Sequence, residues 1–230
     1  MTNNEPVPAD LEPTAFLDLD EPKVAAFADE ATAGARDATD RAVRLYYAVR
    51  DRIRYDPYTI ELSVRGLSAS RCVERGVGWC VSKAALLAAV ARHAGIPARV
   101  GYADVKNHIA TERLTEQMGT DVFYWHGYTA LYLEGRWVKA TPAFNIGLCE
   151  KFGIRPLEFD GSDDSLFHPF DQEGRRHMEY LNDRGSFDDV PLEAIMETFR
   201  EVYPRIVAGQ TAGDFAAEAE AERRAAGQAG

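Results

Sequence analysis

Three cysteines, Cys72, Cys80 and Cys149, and five histidines stand out among the 230 residues as groups for covalent chemistry. Cys80 has the most telling surroundings. It follows Gly76-Val-Gly-Trp79 and opens a run of Ala, Leu and Val that is stopped by Gly95 and Pro97. Gly just past a helix end and Pro beyond it are stop signals, so the spacing predicts a helix with Cys80 at or near its first residue. Unpaired backbone N–H groups and the positive end of the helix dipole favour the thiolate there, and the thiolate is the nucleophilic form. A free cysteine in a core otherwise behaves as a small hydrophobe, so catalysis requires a partner. That partner is a histidine within hydrogen-bond reach, itself held by a third group. His93 sits near the far end of the same helix, roughly 20 Å away at ~1.5 Å per residue. His108 and His177 lie in polar contexts that predict exposure, and His168, between Phe167 and Pro169, is placed to pack or to line a cleft. His126 lies among Phe123, Tyr124, Trp125 and Tyr128. Such surroundings exclude water, and His126 is the expected base.

These two residues need a buried helix and a strand beside it. Apolar residues occupy nearly every direction around residues 80–94, which predicts burial in the domain core. Two helices should precede it. One covers about 22–33, where Pro22 follows Asp20 and Glu21; the other covers about 37–53, where Ala42, Val43, Leu45, Tyr46, Val49 and Ile53 recur at helical spacing. After Pro97 the period changes to two. Residues 98–105 read as a strand, 107–119 as a loop or short helix, and 121–133 as a long strand. Residues 136–141 form its antiparallel partner across a Glu134-Gly135 turn. The aromatic-rich stretch beyond Pro142, to about residue 177, reads as an irregular loop serving as a lid or cleft wall. A last helix covers about 191–207, with Leu192, Ile195, Met196, Phe199 and Val202 on one face. The expected organisation is a flexible polar N-terminus (1–13), a single domain (14–208) and an Ala/Glu-rich tail (209–230) too poor in apolar residues to fold alone.

Bulk properties narrow the function. A net charge of −11 and a pI near 5.0 lack the clustered basic face that nucleic acid requires. The longest apolar run, Ala84 to Ala91, is far shorter than the roughly 20 residues that span a bilayer. The first residues carry neither a basic nor an apolar segment of a secretory signal, so a cytoplasmic location is expected. Three cysteines without a Cys-x-x-Cys pair give neither a disulfide framework nor a zinc site. The acidic residues Asp160, Asp163 and Asp164 lack the Gly and Glu spacing of a calcium loop. Neither a metal nor a cofactor is expected.

With these residues in place, the chain resembles the transglutaminase-like core, a papain-like α+β superfamily of cysteine enzymes. The resemblance rests on Gly78-Trp-Cys80 opening a helix, Ala94-Gly-Ile-Pro-Ala-Arg99 closing it, Trp125-His126 on a strand and Gly135-Arg-Trp-Val-Lys-Ala-Thr-Pro142 on its neighbour. It covers roughly residues 40 to 145. It implies a papain/transglutaminase-like fold in which the helix carrying the cysteine packs on an antiparallel sheet, here with extra N- and C-terminal helices. It also implies a catalytic triad with Cys80 as nucleophile and His126 as base. The third position departs from the family pattern, because Thr141 precedes Pro142 where Asp is common. An ionised carboxylate stabilises imidazolium in a way that a hydroxyl cannot. Three readings stay open: the Thr141 hydroxyl orients His126; the Asn145 amide oxygen does so, the favoured reading; or efficient catalysis has been lost. The Cys80 N–H is the natural oxyanion donor, and the second donor is not legible. Trp79, Trp125 and His168 are the candidate substrate contacts. The expected function is acyl transfer at an amide of a peptide or protein through a Cys80 thioester, with hydrolysis (peptidase or amidase) favoured over cross-linking. The alternative is a weak or inactive module that binds a peptide or protein in the same cleft.

Overall fold

The computed structural model describes residues 5–108, 110–166 and 177–228. In chain order its helices and strands are α1 (Pro22–Thr32), α2 (Ala38–Arg52), β1 (Arg54–Tyr55), α3 (Val64–Leu67), α4 (Ala69–Arg75), β2 (Val77–Gly78), α5 (Cys80–His93), β3 (Ala98–Asn107), α6 (Glu112–Met118), β4 (Val122–Leu133), β5 (Arg136–Ala140), α7 (Ile146–Phe152), β6 (Met178–Phe187), α8 (Leu192–Val202), α9 (Pro204–Val207) and α10 (Phe215–Gln228). This is an α+β fold of the expected kind, with helices packed on an antiparallel sheet. Among the described residues, no helix is long and apolar enough to cross a membrane.

The core forms around α5. Thirteen of its fourteen residues are buried, because α1, α2 and α4 pack on one side of it and β3 and β4 on the other. Its alanines let these neighbours come close, and Thr129 on β4 donates its hydroxyl to the Ala84 carbonyl at 2.9 Å. Two long cations on this helix tie loops to it. Arg92 donates to the carbonyls of Ala98, Glu12 and Asp188. Lys83, fully buried, donates to the carbonyls of Arg50, Ile53 and Ala143 at 3.0, 2.6 and 2.7 Å. Burial pushes the Lys83 ammonium down to about 7. Three carbonyl acceptors nevertheless call for three N–H donors, so it is the charged form that satisfies them.

The sheet runs β5-β4-β3-β6, antiparallel throughout. At the β4–β5 hairpin Glu134 has φ 49° and Gly135 φ 81°, the two positive values that a type I′ turn demands. The expected strands and hairpin are all present. Strand β6 lies between the irregular stretch and the last helix expected from the sequence, in residues to which the sequence assigns no element. Lying at the sheet edge, it is mostly exposed and shows no apolar alternation.

Both termini are better held than their composition suggests. Asp10 is completely buried and accepts from Arg99 Nε and Nη2 at 2.7 and 2.8 Å. The Arg99 guanidinium in turn lies 4.3 Å over the Trp137 ring. A paired, buried carboxylate thus anchors a segment that reads as loose; residues 1–4 lie outside the described residues. In the tail, α10 buries Phe215 and Ala219, sets Phe215 5.3 Å from Phe152, and accepts at Glu218 from the Tyr58 and Thr111 hydroxyls. A few apolar residues on one face suffice once the domain supplies the other half of the contact.

Lys83→Met should leave three buried carbonyls without their donor. At about 1 kcal/mol or more each, the expected loss is about 3 kcal/mol, a fall in Tm of about 6–12 °C. Thermal unfolding followed by circular dichroism checks this, and a change below about 2 °C would contradict it.

Candidate active site

Cys80 reaches its position through a short chain of constraints. β2 pairs in parallel with β1, Tyr55 opposite Gly78, which fixes the backbone just ahead of the helix. Trp79 is extended (φ −113°, ψ 178°) and its N–H donates to Ser82 Oγ at 3.1 Å, which caps the first turn. A Cβ on Gly78 would lie 2.6 Å from Ser82 Oγ and 3.0 Å from Cys72 Sγ, so the turn closes only over glycine. Cys80 is then the first residue of α5, 5% exposed.

His126 arrives on β4. The next residue, Gly127, is pressed against the first turn of α5: a Cβ there would meet the Cys80 carbonyl oxygen at 2.9 Å and Val81 Cα at 3.1 Å. The backbone N–H groups of Gly127, Val81 and Cys80 itself favour the Cys80 thiolate and pull its pKa down. Between the register pairs Ala103–His126 and Val105–Phe123, β4 takes three steps to two on β3. The bulge so formed places Trp125 at φ 59°.

Cys80 and His126 line one cavity of about 30 Å³, room for roughly one water. It is also lined by Tyr55, Trp79, Phe123 and Tyr124, by Leu114 and Met118 of α6, by Phe199 of α8 and Ile206 of α9, and by Tyr203 between those two helices. Burial dominates its electrostatics. It pushes the Cys80 thiol up to about 11 against the pull of the three backbone N–H groups, and it pushes His126, 2% exposed, down to about 3 with the neighbouring His177 adding to the effect. The closed site therefore holds a thiol and a neutral imidazole at neutral pH.

The family model for the Transglutaminase-like superfamily matches residues 25–142, half of the chain and the half that carries Cys80 and His126. The chain belongs to the transglutaminase-like superfamily. Solved structures that resemble it include two candidate proteases. A candidate cysteine protease from Cytophaga hutchinsonii aligns at 16% identity over 82% of this chain, with a TM-score of 0.46. A candidate protease from Parabacteroides distasonis aligns at 15% identity over 55%, with a TM-score of 0.37. The chain spans 61% and 26% of their respective lengths. No curated protein matches it.

Within this transglutaminase-like core, the residues expected to form the site divide. Cys80, His126 and Trp79 share the cavity. Trp79 Nε1 is buried and has no hydrogen-bond partner among the described residues. Trp125 turns elsewhere: its indole N–H donates to Thr198 Oγ1 at 2.9 Å and Arg184 lies over its ring at 4.3 Å. No hydrogen bond joins Asn145 or Thr141 to His126. The Asn145 Oδ1 accepts from the Tyr55 N–H at 3.0 Å, and Thr141 Oγ1 is buried without a partner among the described residues. His168 lies outside the described residues. Of the acidic residues, Asp160 holds a turn by accepting from the N–H groups of Ser162 and Asp163, and Asp164 ties the loop to β5 by accepting from the Lys139 N–H.

Sequence reasoning missed two features. His177, expected at the surface, is buried, stacks on Phe144 at 6.4 Å and lies close enough to His126 to affect it. Its polar neighbours in sequence gave no sign of this. The closure of the cavity by α6, α8 and α9 was legible only as the apolar face of 191–207, not as its destination.

His126 gives the fold an acid sensitivity. The unfolded chain takes up this proton near the ordinary value of about 6.5, whereas the fold excludes it until about 3. Stability from this group is therefore full above about 6.5 and falls as the pH drops towards 3. Between pH 6.5 and 5, the wild type should lose roughly 2 kcal/mol more than His126→Gln. Urea unfolding at the two values measures it; equal losses would contradict it.

Proposed function

We propose that the protein is a cysteine hydrolase, a peptidase or amidase that cleaves an amide of a peptide or protein through a Cys80 thioester. We place it in the cytoplasm, where its three free thiols stay reduced. The observation that carries the reading is that Cys80, the first residue of α5, shares one small cavity with His126.

A neutral imidazole is the form a base needs. As Cys80 Sγ attacks the amide carbon, His126 takes the thiol proton. The developing oxyanion meets the Cys80 N–H and, as second donor, the unpartnered Trp79 Nε1–H. The tetrahedral adduct then collapses: the C–N bond breaks, His126 returns the proton to the leaving amine, and a thioester remains. Water, deprotonated by His126, attacks that thioester and releases the acid and the thiol. Asn145 serves this site through Tyr55, whose N–H it holds while the Tyr55 ring walls the cavity.

Access is the remaining requirement. A cavity of about 30 Å³ admits no peptide, so α8 and α9 must move. Tyr203 holds them: its hydroxyl accepts from the Tyr124 N–H at 2.9 Å and donates to the Val122 carbonyl. A second reading, a peptide-binding module without turnover, draws support from Thr141, whose hydroxyl stands where the family commonly has a carboxylate and makes no bond to His126.

With one equivalent of iodoacetamide at pH 6.5, Cys80 should label well ahead of Cys72 and Cys149. His126→Ala should slow that labelling by about 100-fold, in the range of general-base catalysis. Equal labelling of all three thiols, or a rate indifferent to His126, would remove the enzyme reading. Trp79→Phe should leave labelling unchanged but lower turnover of a peptide amide by about 10²-fold, while Tyr203→Ala should speed labelling. Tyr203→Ala labelling at the wild-type rate would show that α8 and α9 do not limit access.

A further inference from the structure

We propose that Asp104 is a positioning residue for His126, its carboxylate holding the β-bulge through which β4 delivers the imidazole and two cavity walls to one face. This rests on the reading of Cys80 and His126 as nucleophile and base. Successive side chains of a regular strand alternate between faces, so neighbours such as Phe123 and Tyr124 cannot both look the same way. Here Phe123, Tyr124 and His126 all line the Cys80 cavity. The extra residue between the pairs Ala103–His126 and Val105–Phe123 makes that possible.

The bulge is not held by the sheet ladder. Trp125 adopts φ 59°, a left-handed conformation that a bulky residue keeps only when its surroundings over-determine it. The Trp125 N–H donates to Asp104 Oδ1 at 3.1 Å, and that of Tyr124 to the Tyr203 hydroxyl at 2.9 Å. Asp104 is 5% exposed and is itself fixed by Arg184 Nε at 2.6 Å and Asn182 Nδ2 at 3.3 Å. Arg184 also stacks over the Trp125 ring. One carboxylate thus holds both the backbone of the left-handed residue and the cation that clamps its side chain. The β3–β6 pairing slips next to Asp104 as well, between Asp104–Asn182 and Val105–Tyr180, so three strands adjust around it.

Asp104 stands where two fixed parts of β4 meet. Beyond His126, Gly127 is pinned against Cys80; before it, Tyr124 is pinned by Tyr203. Asp104 sets the turn of the chain between them, without a hydrogen bond to His126.

The full-length chain tests this through the pH dependence of Cys80 alkylation by iodoacetamide, with thermal unfolding alongside. Asp104→Asn keeps an acceptor for the Trp125 N–H and should retain the wild-type profile, within about threefold in rate. A folded Asp104→Leu should fall to about the His126→Ala rate, roughly 100-fold down, and lose the histidine limb of the profile. Adding His126→Ala to it should bring no further loss. A merely structural residue would lower Tm and leave the profile alone. If Asp104→Leu does not fold, Arg184→Met at the sheet edge reads the same clamp and should slow labelling by about 3- to 10-fold. A folded Asp104→Leu or Arg184→Met with the wild-type rate and profile overturns the proposal while His126→Ala still slows labelling. If His126→Ala has no effect, the reading of the pair falls and the role of Asp104 falls with it.

Discussion

The close approach of β4 to the first turn of α5 is the contact on which the site depends. At Gly127 the strand lies so near the Cys80 carbonyl that a single Cβ would push it away. That approach brings His126, one residue earlier, to the same cavity as the thiol at the helix start. Everything around it serves to hold the two elements in register. β1 and β2 fix the backbone entering α5, Thr129 bonds to Ala84 farther along the same interface, and Lys83 binds the end of α2 and the loop after β5 to the helix.

Burial then sets the protonation of the two groups. In papain-like pairs, nearby charge favours thiolate and imidazolium, but here desolvation outweighs the backbone N–H groups and leaves both partners neutral. A neutral imidazole is the form that the proposed base requires. Under the proposed function, the helices that line the cavity would govern both its desolvation and the access of substrate. Phe199 against Trp79 at 5.9 Å and Tyr203 on the bulge bring those helices against the elements that carry Cys80 and His126.

Much of this was legible in the sequence where signals are local. The α5 boundaries follow from Gly95 and Pro97, and the β4–β5 hairpin from alternation around Glu134-Gly135, because caps and tight turns depend on a few adjacent residues. The settings of Cys80 and His126 mark both as candidates, and the fold brings them to one cavity. The rest depends on partners remote in the chain. Strand β6 carries no apolar alternation and exists because β3 offers it an edge. Asp10 reads as a polar terminal residue until Arg99 is beside it, and His177 as exposed until Phe144 covers it. A bulge at Trp125 leaves no mark that β4 alone could show, since its acceptor, Asp104, lies on another strand. Asn145 was a sensible orienting group by residue type, but its oxygen takes the Tyr55 N–H.

The thioester is tested most directly by peptide-mapping mass spectrometry of the full-length chain, acid-quenched at short times after mixing with an activated peptide ester. An acyl group on Cys80, absent from Cys72 and Cys149 and decaying as the acid product appears, is the expected result. An ester that is bound but leaves no acyl group on Cys80 at any time, or that acylates all three thiols alike, would contradict the assignment of Cys80 as nucleophile.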